Sequence, residues 1–384
     1  MDTEKMLTEI EGGTASELAM LIRYNTYPFG PTFIPSLDDL ILEGRQHPGK
    51  STLMRADLVE VIGGSGSGKS SFTNFLILST VLPRTLPDLL STPIEGRGMY
   101  VTLIQPITHR SIIPYLKKSM KCHLQQISPS TPGKMIDQVI LDSLSRLRIY
   151  RTKPRYKECA LCLKSLLSKS RPDSRGTMTS VDRNGINKGG LDLLVIEGMG
   201  DPHYPARWNE EQKGYNHYNR SMATTGGRKI IGADEIGLRE IMDCVDKIRK
   251  ELGTTVIMST QGLRVSKESP FFHTHLPHPY PSPFSPPLTQ QNQNDSNPVR
   301  SSDPAHWPLT IQITLTGRQR RLQYPIETTL VEVLQEKAKA MRNDNWNTVG
   351  TYEGAVRMIR GEGVVGTRAG GRFRFDIGDE GMRV

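Results

Sequence analysis

A glycine-rich segment, GGSGSGKS at residues 63–70, constrains the fold of this 384-residue chain more than any other feature. The apolar run DLVEVI before it is typical of a buried strand, and the apolar pattern of NFLILSTVLP after it predicts a helix. The segment matches G-x-x-x-x-G-K-[ST], in which glycines let several backbone N–H groups approach phosphate oxygens. The sequence therefore predicts a phosphate-binding loop between a strand and a helix.

Each residue type in this loop has an expected part in binding a nucleotide. Lys69 would reach the β and γ phosphates, and the hydroxyl of Ser70 would bind Mg²⁺. The positive N-terminal end of the following helix would add to the attraction. We therefore expect ATP and Mg²⁺ as ligands. The expected nucleotide-binding residues are Gly63, Gly64, Ser65, Gly66, Ser67, Gly68, Lys69, Ser70 and Ser71.

Mg²⁺ also needs a carboxylate ligand, which a neighbouring buried strand can supply at its end. The nearly continuous apolar run LDLLVIEG is typical of a strand buried on both faces, and Glu197 follows its last apolar residue. The predicted metal ligands are therefore Ser70 and Glu197. The alternative, in which Glu197 only caps a turn, stays open.

Strand and helix patterns alternate along most of the chain. Further strands are predicted at GRGMYVTLIQP, LSRLRIYR, TTVIMSTQG, LTIQITL, GAVRMIRG and GRFRFDIG, and further helices at RSIIPYLKKSMKCHLQQ, KECALCLKSLL, ADEIGLREIMDCVDKIRKELG and 327–342. This alternation predicts an α/β fold in which helices flank a mainly parallel sheet.

Cys159 and Cys162 share a predicted helix, so burial of the two thiols is favoured over metal or redox chemistry.

Composition divides the chain into four parts: an N-terminal segment or linker (1–34), an ATP-binding core (35–265), a Pro-rich insertion (266–308) and strands that complete the core (309–384). The insertion holds 10 of the 26 prolines and the polar run TQQNQNDSN, which predict a flexible, disordered segment.

The chain is basic, with a net charge of +9. Residues 107–175 carry 15 Lys or Arg against 4 Asp or Glu, which favours a polyanionic partner and nucleic acid first, although a solvated lysine-rich face is the alternative. No apolar run reaches the ~20 residues that span a bilayer, so no membrane partner is expected.

Five segments also resemble a known family. PSLDDLI, DLVEVIGGSGSGKS, LDLLVIEG, TTVIMSTQG and FRFDIGDEGM occur in the order found in the RecA-type recombinases of eukaryotes. The chain most resembles the recombinase paralogues of the X-ray-repair cross-complementing type that lack an N-terminal DNA-binding domain. The resemblance covers residues 35–262 and, more weakly, 309–384.

This resemblance implies a RecA-like P-loop NTPase core in a nuclear protein of homologous-recombination repair of DNA double-strand breaks. Such a protein would assist the main recombinase on single-stranded or branched DNA, in a complex with other recombinase paralogues. It also implies two DNA-binding loops, at 201–232 and 262–308.

Cations and aromatic rings in the first of these loops suit phosphates and stacked bases. The candidate DNA-binding residues are Arg207, Trp208, Lys213, Tyr215, Tyr218, Arg220, Arg228 and Lys229. The acids Asp201, Glu210 and Glu211 favour the alternative of a plain surface loop.

The chain departs from the family at the strand after the loop helix, which normally ends in acids around a threonine, the last of which activates the attacking water. Gln105, Pro106 and Ile107 occupy these places. A glutamine can orient water but cannot take its proton, and an isoleucine can do neither. Gln261 matches the polar residue that senses the γ-phosphate. We therefore expect at most a weak DNA-dependent ATPase.

Three classes of function stay open. The first is a regulatory module that holds ATP and is slow or inactive in hydrolysis. The second is an enzyme, either a DNA-stimulated ATPase with a carboxylate from elsewhere or a P-loop small-molecule kinase. The third is a scaffold with a vestigial loop, against which the intact Lys69 and Ser70 argue.

Overall fold

The computed structural model describes residues 28–45, 51–86, 89–170, 191–203, 205, 207–208, 233–264, 271–274, 276, 280, 309–317, 329–332, 334–335, 350–358, 371–378 and 381–383. The helices are α1 (Pro35–Gly44), α2 (Lys69–Val81), α3 (Ile113–Ile127), α4 (Gly133–Leu144), α5 (Tyr156–Ser170) and α6 (Ala233–Leu252). The strands are β1 (Leu58–Gly63), β2 (Thr85–Leu86), β3 (Leu89–Pro93), β4 (Val101–Pro106), β5 (Leu147–Thr152), β6 (Leu193–Ile196), β7 (Thr255–Arg264), β8 (Phe272–Thr274), β9 (Ile311–Gly317), β10 (Gly350–Met358), β11 (Arg372–Gly378) and β12 (Gly381–Arg383). Over these ranges, no helix combines the length and apolar character needed to cross a membrane.

A ten-stranded sheet forms the centre of the fold. Its strands lie in the order β12, β11, β10, β9, β1, β7, β6, β4 and β5, and β8 pairs with β7 outside this row. Every neighbouring pair from β9 to β5 is parallel. The pairs that involve β8, β10, β11 and β12 are antiparallel. The predicted α/β fold with a mainly parallel, helix-flanked sheet is therefore confirmed.

Apolar cores lie on both faces of the sheet because successive strand residues point to opposite faces. In β1, Val59 and Val61 belong to a first core, which also holds residues of α1 to α4. Leu58 belongs to a second core with residues of α5 and α6. Cys159 is buried in that second core, as predicted, and burial raises the pKa of its thiol to about 12. Cys162 is half-buried.

The segment before α1 is attached to the first core by the buried Arg97. Its guanidinium carbon lies 4.6 Å from the ring centroid of Phe29 and 5.0 Å from that of Phe33. The guanidinium also donates to the hydroxyl groups of Ser79, at 3.2 Å, and Thr80, at 2.9 Å, both in α2. Burial lowers the pKa of Arg97 to about 9. The end of the predicted N-terminal linker is thus part of the packed core.

A polar cluster centred on Glu60 of β1 lies within the sheet, fully buried. Its Oε1 accepts hydrogen bonds from the hydroxyls of Thr260, at 2.8 Å, and Tyr280, at 2.9 Å, and its Oε2 accepts one from Gln312, at 2.7 Å. The side chain of Arg357 donates in turn to Gln312 Oε1 at 2.6 Å. Burial raises the pKa of Glu60. The cluster joins strands β1, β7, β9 and β10.

Part of the range predicted as a flexible insertion is packed against the sheet. Strand β8 pairs with β7, with Thr274 opposite Gly262. Leu276 and Tyr280 are 6% and 3% exposed. The described residues from 271 to 280 therefore belong to the folded core, because Tyr280 supplies a hydrogen bond that the buried Glu60 requires. The rest of the predicted insertion lies outside the described residues.

Replacing Arg97 with alanine is expected to lower the free energy of unfolding by about 2–4 kcal/mol, because it removes three hydrogen bonds, including one to the carbonyl of Pro31, and two ring contacts. Urea unfolding followed by circular dichroism measures this loss. The exposed Arg84→Ala is the matched control and should unfold like the unmodified chain. Equal stability of the two variants would contradict the role of Arg97.

Candidate functional site

The glycine loop, residues 63–70, joins the end of β1 to the start of α2. Gly66 and Gly68 have φ angles of 71° and 86°, in the left-handed region that side chains disfavour. A Cβ on Gly63 would lie 2.5 Å from both the carbonyl oxygen of Leu315 and Oγ of Ser67. The shape of the loop and the neighbouring strand β9 therefore require glycine at these positions.

Lys69 is folded back over the loop at the first turn of α2. Its Nζ donates to the carbonyl oxygens of Gly63, at 2.7 Å, and Gly64, at 2.6 Å. Burial lowers the pKa of Lys69, and the Asp201 carboxylate partly opposes that shift. The Ser67 hydroxyl is buried, and its Oγ has no hydrogen-bond partner in the described structure. The loop thus offers an ammonium group to an anion, and it also contains an unsatisfied buried hydroxyl.

The carboxyl ends of β7, β6 and β4 lie at the same edge of the sheet as the loop. The register of β1 and β7 places Gly63 opposite Gln261, whose side chain is exposed. Glu197 directly follows β6, and its backbone N–H donates to the carbonyl of Ile104 in β4 at 2.9 Å. Three of the predicted site residues, Gln261, Glu197 and Gln105, therefore share this edge.

The carboxylate of Glu197 is buried and has two polar partners. Nε2 of Gln105 donates to Glu197 Oε2 at 2.9 Å, and Nδ1 of His109 lies 3.4 Å from the same oxygen. The other ring nitrogen of His109, Nε2, lies 3.0 Å from Oδ2 of Asp201. Hydrogen bonds to Asp201 and then to Glu197 raise the pKa of His109 to about 9. His109 is therefore an imidazolium at neutral pH, held between two carboxylates.

A tight turn after β6 places Asp201 beside His109. Gly198 has a φ of 66°, and a Cβ on it would lie 2.5 Å from Asp201 Oδ2. Ser259 of β7 holds this turn: its Oγ accepts from the N–H of Gly198 at 3.2 Å, and its carbonyl accepts from the N–H of Met199 at 3.1 Å. The neighbouring strand thus determines the position of the second carboxylate.

The residues that replace the expected acids have different environments. Gln105 is 2% exposed, and its amide nitrogen donates a hydrogen bond to Glu197. This side chain therefore orients a carboxylate and does not face solvent water. Ile107 is 49% exposed. The guanidinium of Arg151 in β5 holds the backbone here by donating to the carbonyls of Ile107, at 2.8 Å, and His109.

Of the predicted DNA-binding residues, Arg207 and Trp208 are described, and both are exposed. The other six lie outside the described residues: Lys213, Tyr215, Tyr218, Arg220, Arg228 and Lys229. Their predicted role is untested.

His109 and Asp201 are the site residues that sequence reasoning missed. By sequence Asp201 is only an acid of the following loop, although the two glycines of EGMGD indicate a tight turn that could bring it back toward the end of the strand. Nothing in the local sequence distinguishes His109, because its partners lie 88 and 92 residues away.

We expect folding stability to fall between pH 6.5 and about 9 in chelator-treated buffer. The folded-state pKa of His109, about 9, exceeds the ordinary 6.5, so its protonation stabilises the fold fully below pH 6.5 and the gain is lost as the pH rises to about 9. The change should be at most about 1 kcal/mol because the side chain is 36% exposed.

Urea unfolding at pH 6 and pH 9 measures this difference. His109→Asn should remove it. His123→Asn should retain it, because the His123 imidazole contacts the backbone carbonyl of Ile94 and not a carboxylate. An unchanged pH dependence in His109→Asn would contradict the assignment.

Comparison with known proteins names no relative of the chain. A scan against protein-family models finds no match, and a search of curated proteins finds no significant similarity. The resemblance to recombinase paralogues therefore stays a prediction.

Proposed function

We propose that this chain is an ATP-binding, RecA-like recombinase paralogue that holds ATP with Mg²⁺ and hydrolyses it slowly or not at all. The observation that carries the proposal is the glycine loop at the end of the central strand β1, with Lys69 folded over it and carboxylates at the same sheet edge. Backbone N–H groups, the N-terminus of α2 and the ammonium group together suit a chain of phosphates.

The strand order is compatible with a RecA-like core. Strands β9, β1, β7, β6 and β4 lie side by side and parallel, so β7 separates the loop strand from the strand that precedes Glu197. A nucleotide in the loop would meet the end of β7, with Gln261, before the carboxylates after β6. This order supports Gln261 as the residue that senses the γ-phosphate.

Mg²⁺ prefers hard oxygen ligands and retains several waters, and the side chains at this edge of the sheet supply oxygen atoms of that type. The exposed hydroxyl of Ser70 and the carboxylates of Glu197 and Asp201 are the residues that would hold it. The Asp201 side chain is 37% exposed and that of Glu197 only 4%, so Asp201 is the more accessible of the two. When bound, the metal would neutralise charge on the phosphates.

Slow hydrolysis is expected from the groups at the ends of β4 and β6. Activation of water requires a group that can accept its proton. Gln105 cannot do so, and both ring nitrogens of the protonated His109 already face carboxylates. Glu197 is buried and accepts a hydrogen bond from Gln105. Bound ATP would then act as a retained ligand whose presence is read at Gln261.

In this proposal the chain works in the nucleus with partner paralogues on single-stranded or branched DNA, during homologous-recombination repair. The family resemblance supports these partners, as do the exposed Arg207 and Trp208, which suit a single strand. Lys117, Lys118 and Lys121 of the basic range also lie exposed on α3.

Lys69→Ala is expected to weaken ATP binding by about tenfold or more, because it removes the charged donor closest to the loop. Isothermal titration calorimetry with MgATP measures the affinity. The exposed Lys117→Ala is the charge-matched control and should bind like the unmodified chain. Equal affinities for all three chains would rule out the loop as the phosphate site.

Turnover of MgATP by the purified chain should be on the order of 10⁻³ s⁻¹ or below, comparable to nucleotide sites that lack a complete catalytic set. Phosphate release with and without single-stranded DNA measures it. Glu197→Ala should abolish any residual activity. Brisk, DNA-stimulated turnover that survives Glu197→Ala would show that the proposed site is not where hydrolysis occurs.

A further inference from the structure

A cluster of aromatic side chains from α2 and the strands beside it lies next to the glycine loop. The rings of Phe72, Phe373 and Phe375 are buried, with centroids 5.8 to 6.2 Å apart. Tyr352 of β10 stacks on Phe375 of this cluster, with centroids 5.6 Å apart and planes at 17°. Tyr352 is half-buried, so the most exposed ring packed on the cluster is a tyrosine beside the loop.

Tyr352 is in close contact with the last glycine of the loop. A Cβ on Gly68 would lie 3.1 Å from Cδ1 of Tyr352 and 2.9 Å from Cδ1 of Ile377 in β11. Gly68 also has a φ of 86°, which disfavours a side chain independently of this contact. The ring of Tyr352 and the Ile377 side chain therefore form a wall next to the start of α2.

This wall lies on the opposite side of β1 from the carboxylates. Strands β7, β6 and β4 follow β1 in one direction along the sheet, and β9, β10 and β11 follow it in the other. The candidate acids Glu197 and Asp201 follow β6, whereas Tyr352 is in β10. In a nucleotide, the terminal phosphate and the base lie at opposite ends of the molecule. A terminal phosphate near the acids would direct the base toward β10.

We propose that Tyr352 and Ile377 form a platform for the nucleobase of the bound nucleotide. An aromatic ring offers its π-face to a purine, and the aliphatic side chain of Ile377 extends the apolar contact. Stacking on Phe375 holds the Tyr352 ring in place before the ligand arrives, which limits the entropy lost on binding. This inference rests on the proposed nucleotide function and adds the contact that distinguishes a nucleotide from bare polyphosphate.

The test compares two ligands, MgATP and magnesium tripolyphosphate, by calorimetry on the full chain. Tyr352→Ala should weaken ATP binding by about tenfold to a hundredfold, the range of base stacking on an aromatic ring, and leave tripolyphosphate binding unchanged. Tyr352→Phe should retain ATP affinity because it keeps the ring. Tyr150→Ala, at a half-buried tyrosine of the distant strand β5, is the matched control and should bind both ligands normally.

The two ligands separate failure of the platform from failure of the phosphate site. If the unmodified chain binds tripolyphosphate and ATP equally well, or Tyr352→Ala affects neither or both equally, the platform is ruled out and the phosphate site survives. If the unmodified chain binds neither ligand, the proposed function fails and the platform fails with it. Thermal melting of each variant identifies loss of folding. If Tyr352→Ala does not fold, Tyr352→Leu takes its place, with the same expected and contradicting results, because leucine keeps an apolar side chain against Phe375 but has no π-face.

Discussion

The parallel pairing of β1 with β7 on one side and β9 on the other determines where the glycine loop lies. This pairing places Gly63 opposite both Gln261 and Leu315, so the loop begins between β7 and β9. All six residues of β1 are buried. A shift of one residue in this register would exchange the side chains of β1 between the two faces of the sheet. It would also move Gly63 away from Gln261. The fold and the candidate site therefore depend on the same hydrogen-bond ladder.

The Glu60 cluster shows how that central strand accommodates a charged residue. A buried carboxyl group is costly unless it is hydrogen-bonded, and Glu60 obtains its donors from two neighbouring strands and from Tyr280. Tyr280 lies far along the chain, just before residues outside the described structure. Satisfying Glu60 therefore keeps Tyr280 packed against the sheet. Thr260, a member of the cluster, directly precedes Gln261, so the cluster also supports the edge where the nucleotide is proposed to bind.

Opposite charges balance at the acid side of the site. Lys69 and His109 are the cations, and Glu197 and Asp201 are the carboxylates. Asp201 opposes the lowering of the Lys69 pKa, and both carboxylates raise the pKa of His109. Gln105 contributes a neutral donor that fixes the more buried carboxylate. The imidazolium of His109 between the two carboxylates reduces the repulsion between them. It also makes the site better suited to holding an anion than to removing a proton from water.

The sequence by itself determined the local elements: the strand, glycine loop and helix around residues 63–70, the buried strands, and the alternation that leads to a parallel sheet. These follow from short-range patterns, because periodicity and glycine positions restrict the backbone locally. Only the tertiary structure decided which distant side chains meet. Gln105 donates to Glu197, and His109 lies between Glu197 and Asp201. Tyr280 donates to Glu60, and Tyr352 contacts Gly68. Each of these contacts joins elements 88 or more residues apart, and packing across the sheet brings such partners together without a local signal in the sequence.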